Sequence, residues 1–390
     1  MKSVRFTIVA ATGLLAATMY VSVSASDEDK RGPNGNSGKH LFERETFGGN
    51  GRTCSTCHSD ETGTVSPQDA QRRFAANPKD PLFLHDGSDD FQGNGVSRML
   101  TDATVLVEIP LPPNVSLADD PSARSVVLRR GIPTTLNAPS LDPVLMLDGR
   151  QPSLGAQVLG ALHDHAQAPG SPSTKDLERI VAFEKTDAFF SSPQLRAFAR
   201  KGIAPALPEG VTGAEKRGRR FFEDVLDFTD LKHGACAACH SGPMLNESNQ
   251  FAELALGIPK GTRFQTIGVS ELNAAHNPVH DYVFTNADGT TTHVVSPDPG
   301  RALITGVAPG EDAHFENVNA FKTPTLWGVN RTAPYFHDNS AKTLEDVAAH
   351  YNLIFTFTTD PDGPAGPIPP LLALTPQDQA DIVAYLKLLK

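Results

Sequence analysis

The sequence predicts a mainly α-helical chain of two tandem halves, with long loops and little strand. Three observations carry this: a Cys-x-x-Cys-His triplet occurs twice, a short aromatic segment precedes each copy, and amphipathic stretches of helical period lie between them. Gly 32 and Pro 31 in 390 residues supply the irregular connections.

At the N-terminus, Lys2 and Arg5 precede an apolar run from about Phe6 to Val21, and Val23-Ser24-Ala25 fits a small-residue cleavage site. Residues 1–25 are therefore expected to be a secretory signal peptide. The run is shorter than the ~20 residues a spanning helix prefers, so no stable membrane insertion is expected. The remaining ~365 residues suit two domains, 26–205 and 206–390, joined through the Pro/Gly-rich stretch Lys201 to Gly213. Leu41-Phe42-Glu43 precedes Cys54, and Phe221-Phe222-Glu223 precedes Cys236, with Glu-to-Cys separations of 11 and 13 residues. Thr212 and Glu215 form a capping box for a helix running to about Leu226. Ser153 to His165 and Ser173 to Lys185 read as helices, Tyr282 to Thr285 and Thr290 to Val295 as a hairpin, and Thr375-Pro376 opens a C-terminal helix.

The triplets Cys54/Cys57/His58 and Cys236/Cys239/His240 use all four cysteines. Each thiol pair can add across the vinyl groups of one haem while the histidine reaches the iron, so two covalently bound c-type haems are expected, with His58 and His240 as proximal ligands. Structural zinc would need further soft ligands, and no other cysteine exists. Two disulfides would each close a three-residue hop and stabilise little. Haem attachment of this kind and the export signal together point to the periplasm. Net charge is −11, and about −13 without Lys2 and Arg5, which argues against nucleic acid and suits a basic electron-transfer partner.

Phe321-Lys322-Thr323-Pro324-Thr325-Leu326, then Thr332-Ala333-Pro334-Tyr335-Phe336-His337-Asp338 and Thr343-Leu344-Glu345-Asp346-Val347, closely resemble the C-terminal signature of bacterial di-haem cytochrome c peroxidases and their MauG-like relatives. Pro133-Thr134-Thr135-Leu136-Asn137 and Asp148-Gly149-Arg150 match in the first half. The resemblance implies two cytochrome-c-like haem domains, a peroxide-dependent oxidoreductase, an N-terminal haem that meets hydrogen peroxide and a C-terminal haem that stores or relays oxidising equivalents. It also implies a distal ligand on the helix after the Pro-Tyr-Phe-His motif, at Tyr351. Helical phase agrees: Leu344, Val347 and Tyr351 share a face, His350 points elsewhere, and the last methionine is Met244. The opposing reading is a tyrosine packed in the core with its hydroxyl hydrogen-bonded.

Three positions depart from the family. The tryptophan before Asp-Gly-Arg is Leu147, and the chain's one tryptophan is Trp327. The distal glutamate aligns with Ala156, and the asparagine that helps bind calcium aligns with Gly131, leaving calcium the carbonyl oxygens of Thr332 and Pro334. His163 shares a stripe with Ala156 and Gly160 and is the candidate acid/base; His165 falls on the opposite face, and His85 is an alternative iron ligand. The partner is expected to be a small periplasmic electron-transfer protein or a protein substrate. Rival classes are a di-haem electron carrier without peroxidase turnover and a di-haem oxygenase of an organic substrate.

Overall fold

A computed structural model describes residues 37–137, 141–186, 190–308, 317–357 and 373–390. The proposed signal peptide, 1–25, lies outside the described residues.

Helix outweighs strand, and its organising unit occurs twice. In the first copy the helix Gly38–Arg44 crosses Thr174–Thr186; in the second, Gly213–Arg219 crosses Pro376–Leu386. Both crossings are closed by a glycine. A Cβ on Gly38 would lie 2.1 Å from the carbonyl oxygen of Arg179, and one on Gly218 would lie 2.0 Å from that of Asp381. Those carbonyls directly precede matching segments, Ile180-Val181-Ala182-Phe183-Glu184-Lys185 and Ile382-Val383-Ala384-Tyr385-Leu386-Lys387. Equivalent aromatic pairs pack across each crossing, Phe42 on Phe183 at 5.6 Å and Phe222 on Tyr385 at 5.3 Å between ring centroids. Duplication thus extends from sequence motif to backbone contact.

The expected caps are present. Thr212 with Glu215 and Thr375 with Asp378 form capping boxes, and Ser173 accepts from the Asp176 N–H at 3.1 Å. The helix after Thr212 is shorter than expected, however: it ends at Arg219 and tightens into a 3-10 turn over Arg220–Phe222. Gly234 and Cys236 explain the stop, because their N–H groups take the Arg220 and Phe221 carbonyls at 2.8 and 2.9 Å.

Strand is a minor component but exceeds the one hairpin expected. His280–Thr285 pairs with Thr291–Ser296 as foreseen, and Val115–Leu117 adds a third strand. Thr104–Pro110 pairs antiparallel with Ser125–Gly131, burying Val105, Val107 and Ile109 with Val126 and Leu128. At the end of this pair Arg130 is fully buried: its guanidinium binds both carboxylate oxygens of Asp298, at 2.7 and 2.8 Å, and Asp148 at 2.5 Å. Asp148 also pairs with Arg150 at 2.9 Å, so the Asp148-Gly149-Arg150 motif closes a charge-balanced buried network.

Gly218→Ala tests the crossing. The methyl would meet a backbone carbonyl that cannot step aside, so destabilisation of about 1–3 kcal/mol is expected in denaturant melts, against a few tenths for an exposed alanine substitution.

Candidate haem sites

Each triplet is folded as one α-turn. His58 N–H donates to the Cys54 carbonyl at 3.1 Å, and His240 N–H to the Cys236 carbonyl at 2.9 Å. Cysteines at i and i+3 and a histidine at i+4 therefore share a face. The ring beyond each turn is anchored in the same way: His58 Nδ1 donates to the Gly63 carbonyl at 2.8 Å and His240 Nδ1 to the Leu245 carbonyl at 3.0 Å, each five residues downstream. With Nδ1–H engaged, Nε2 carries the lone pair that can bind a metal. Burial pushes both imidazoles down, His240 to about 4, so both are neutral at pH 7.

The four cysteines are unpaired thiols. Burial pushes Cys54 and Cys236 up to about 12 and Cys239 to about 11, and raises Cys57 as well. Among the described residues no three His, Cys, Asp or Glu side chains converge as a metal cluster, so the zinc alternative lacks its ligands. Two thiols on the same face as a neutral imidazole with a free Nε2 fit one covalently held haem per triplet.

The two anchoring loops are joined through the chain's one tryptophan. Gly63, at φ +64, is backed by the Pro133–Asn137 segment so closely that a Cβ would lie 2.8 Å from the Thr135 and Leu136 nitrogens. Asn137 Nδ2 donates to the Trp327 carbonyl at 2.9 Å, and Trp327 Nε1 donates to the Pro243 carbonyl at 2.9 Å, two residues before Leu245. A continuous polar and covalent path therefore links the His58 loop to the His240 loop.

Tyr351 lies on the core side of the helix Leu344–Phe357, packed with Leu344, Ala348 and Phe355 in the cluster that contains Leu245 and Cys236. Burial raises its hydroxyl, with smaller contributions from Cys239 and Cys236 across the same space. Among the described residues that hydroxyl has no hydrogen-bond partner, whereas those of Tyr335 and Tyr385 reach carbonyls at 2.9 and 3.0 Å. His350 is occupied elsewhere, its Nε2 on the Ile267 carbonyl at 2.7 Å.

Helix Leu154–Asp164 buries Leu154, Val158 and Leu162 and leaves Ala156 and Gly160 half-buried. The His163 side chain is 84% exposed and its Nδ1 contacts Asp164 at 2.7 Å. His165 makes a tertiary contact that its sequence neighbourhood does not signal. Its Nδ1 meets Asp86 at 2.5 Å; Asp86 also binds Arg52, and Arg52 returns a bond to the His165 carbonyl at 3.0 Å, clamping the segment just before Cys54. Although burial opposes ionisation of Asp86, the His165 and Arg52 contacts hold its carboxyl below the usual range. His85 is half-buried against Phe91, with ring centroids 5.2 Å apart. Beside Gly131 stands the side-chain amide of Asn339, whose Oδ1 would lie 2.2 Å from a Cβ there and whose Nδ2 donates to the Asp102 and Ala103 carbonyls at 2.9 and 3.1 Å.

No protein-family model matches the chain. Over 230 residues it is 26% identical to the cytochrome c551 peroxidase of Nitrosomonas europaea, covering 55% of this chain and 56% of that protein. Over 154 residues it is 29% identical to the cytochrome-c peroxidase IdrP1 of Denitromonas iodatirespirans, covering 40% and 36%. The chain thus spans about half or less of the length of the curated relatives it matches. Among solved structures it is similar to a MauG-like protein associated with microbial copper homeostasis (TM-score 0.48, 18% identity, 95% of this chain and 91% of that one). It is also similar to the diheme peroxidase BthA of Burkholderia thailandensis (TM-score 0.47, 18% identity, 90% and 84%). Motif order and the two peroxidase sequence matches agree in supporting a likeness to the di-haem cytochrome c peroxidase/MauG-like family.

Proposed function

We propose that the protein is a periplasmic di-haem oxidoreductase that uses hydrogen peroxide to oxidise a small electron-transfer protein or a protein side chain. The observation that carries this reading is the asymmetry of two otherwise matching triplets. Near His240 the half-buried Tyr351, whose hydroxyl has no hydrogen-bond partner among the described residues, is the candidate sixth ligand; near His58 no equivalent oxygen or sulfur ligand is evident from the sequence. His58 would hold the haem whose iron supplies the open position for peroxide, and His240 with Tyr351 would hold the haem that supplies a store for oxidising equivalents. The domain division at 205/206 is supported by the repeated glycine-closed crossing. Export is supported by residues 1–25, and among the described residues no helix is long and apolar enough to cross a membrane.

The chain's own residues have separable tasks. Cys54, Cys57, Cys236 and Cys239 fix the haems covalently, and the Gly63 and Leu245 carbonyls orient His58 and His240. Tyr351, as phenolate, favours the ferric and higher states of the second iron. Intact mass is expected to exceed that of the mature polypeptide by two haem masses; a single haem, in protein made with full attachment machinery, contradicts the reading. Tyr351→Phe is expected to convert the low-spin ferric haem to a different spectrum and raise its potential. Unchanged spectrum and potential would leave Tyr351 a core tyrosine. Peroxide consumption with a reduced carrier separates the peroxidase from a passive electron carrier.

A further inference from the structure

Three buried donors of the second half lack acceptors. Asn246, Gln265 and Thr323 are 2%, 8% and 5% exposed, and Asn246 Nδ2, Gln265 Nε2 and Thr323 Oγ1 have no hydrogen-bond partner among the described residues. Such groups are costly unless something accepts from them. They are also placed together. Phe264–Gln265 pairs antiparallel with Phe321–Lys322, and the Thr323 N–H extends the pairing to the Arg263 carbonyl at 2.8 Å, so strand alternation puts Arg263, Gln265 and Thr323 on one face. The opposite face is taken: Phe264 lies under the Arg301 guanidinium at 4.3 Å, and Lys322 Nζ binds Asp142 at 2.6 Å. At one end Arg263 Nη1 donates to Asn246 Oδ1 at 2.7 Å, which leaves Nδ2 as the unused atom of an amide adjoining Leu245, the anchor of His240. At the other end the Ile267 carbonyl accepts from His350, the neighbour of Tyr351. The strand therefore runs from the loop that supports the proximal histidine to the helix that carries the candidate sixth ligand, with Gln265 between them.

We propose that Asn246, Gln265 and Thr323 form a carboxylate-binding cradle for the haem attached at Cys236 and Cys239. A group ligated by His240 on one side and Tyr351 on the other turns an edge toward the segment that joins those two supports. On the periphery of a c-type haem the hydrogen-bond acceptors are the two propionate carboxylates, which lie on the edge opposite the thioether links, and three donors without acceptors match them. Carboxylates accept strongly from amide and hydroxyl donors. The cradle itself is neutral, because the one cation beside it, Arg263, is already held by Glu247 at 2.5 Å. The assignment rests on a haem being bound at the second triplet and on no reaction with peroxide.

Thr323→Val and Gln265→Met remove the donors while keeping side-chain size, and Thr323→Ser keeps the hydroxyl. Were the donors to face nothing in holoprotein, the first two substitutions would relieve unsatisfied groups and raise stability. A carboxylate in the cradle reverses the sign: in denaturant melts of holoprotein the unfolding equilibrium constant is expected to rise about tenfold in Thr323→Val and in Gln265→Met. Resonance Raman spectra of the same proteins are expected to show the propionate bending band of one of the two haems displaced, and Thr323→Ser to leave it in place. A propionate band that does not move in Thr323→Val and Gln265→Met, or a gain in stability in both, overturns the proposal. A chain with no haem on Cys236 and Cys239 by peptide mass mapping removes the haem reading and the cradle together. A displaced band in protein that consumes no peroxide leaves the cradle standing and removes the peroxidase reading alone.

Discussion

A single hydrogen bond repeated twice organises this molecule: each triplet histidine gives its Nδ1–H to a backbone carbonyl five residues ahead. That bond fixes the tautomer, leaves Nε2 as the donor atom, and makes the carbonyl-bearing loop a structural partner of the ring. Around Gly63 the requirement propagates outward, since the Pro133–Asn137 segment backs onto a position where no Cβ fits. Asn137 then reaches Trp327, and Trp327 reaches the loop that holds the other histidine. A polar and covalent path thus connects the two anchoring loops.

On that shared frame the halves have been made chemically unequal. The glycine-closed crossings and their aromatic pairs are alike, which keeps the cysteines and histidines in the same geometry. Differences lie in the groups buried around the two crossings. The second half has a leucine at 386 and an unpartnered tyrosine at 351; the first has a buried carboxyl at 184 and a histidine–aspartate–arginine clamp against the segment preceding Cys54. An anionic phenolate ligand would stabilise the oxidised state of an iron held in the second half.

Much of this was legible in sequence because it is local. Spacing alone put two cysteines and a histidine on one face, and the Thr343 cap with helical phase put Tyr351 rather than His350 toward the core. Which side of the helix carrying His163 packs was not legible, because several of its sides are apolar or small; Leu154, Val158 and Leu162 took the interior. The Asp86–His165 contact joins residues 79 apart, beyond any local pattern. Glu184 differs from its counterpart Leu386 in the alignment of Ile180–Lys185 with Ile382–Lys387, but its burial and the lack of a partner for its Oε2 are tertiary facts. The strand pair at Thr104–Gly131 went unread because Val105, Leu106 and Val107 form a continuous apolar run rather than an alternating one.

The central claim is that one frame holds two haems of unequal coordination. Low-temperature electron paramagnetic resonance of the ferric holoprotein, with both signals integrated, tests it most directly. One high-spin and one low-spin haem in equal amounts are predicted, the low-spin signal being the one altered in Tyr351→Phe. Two low-spin haems in the resting protein would contradict the account, because neither iron would then present an open position to peroxide.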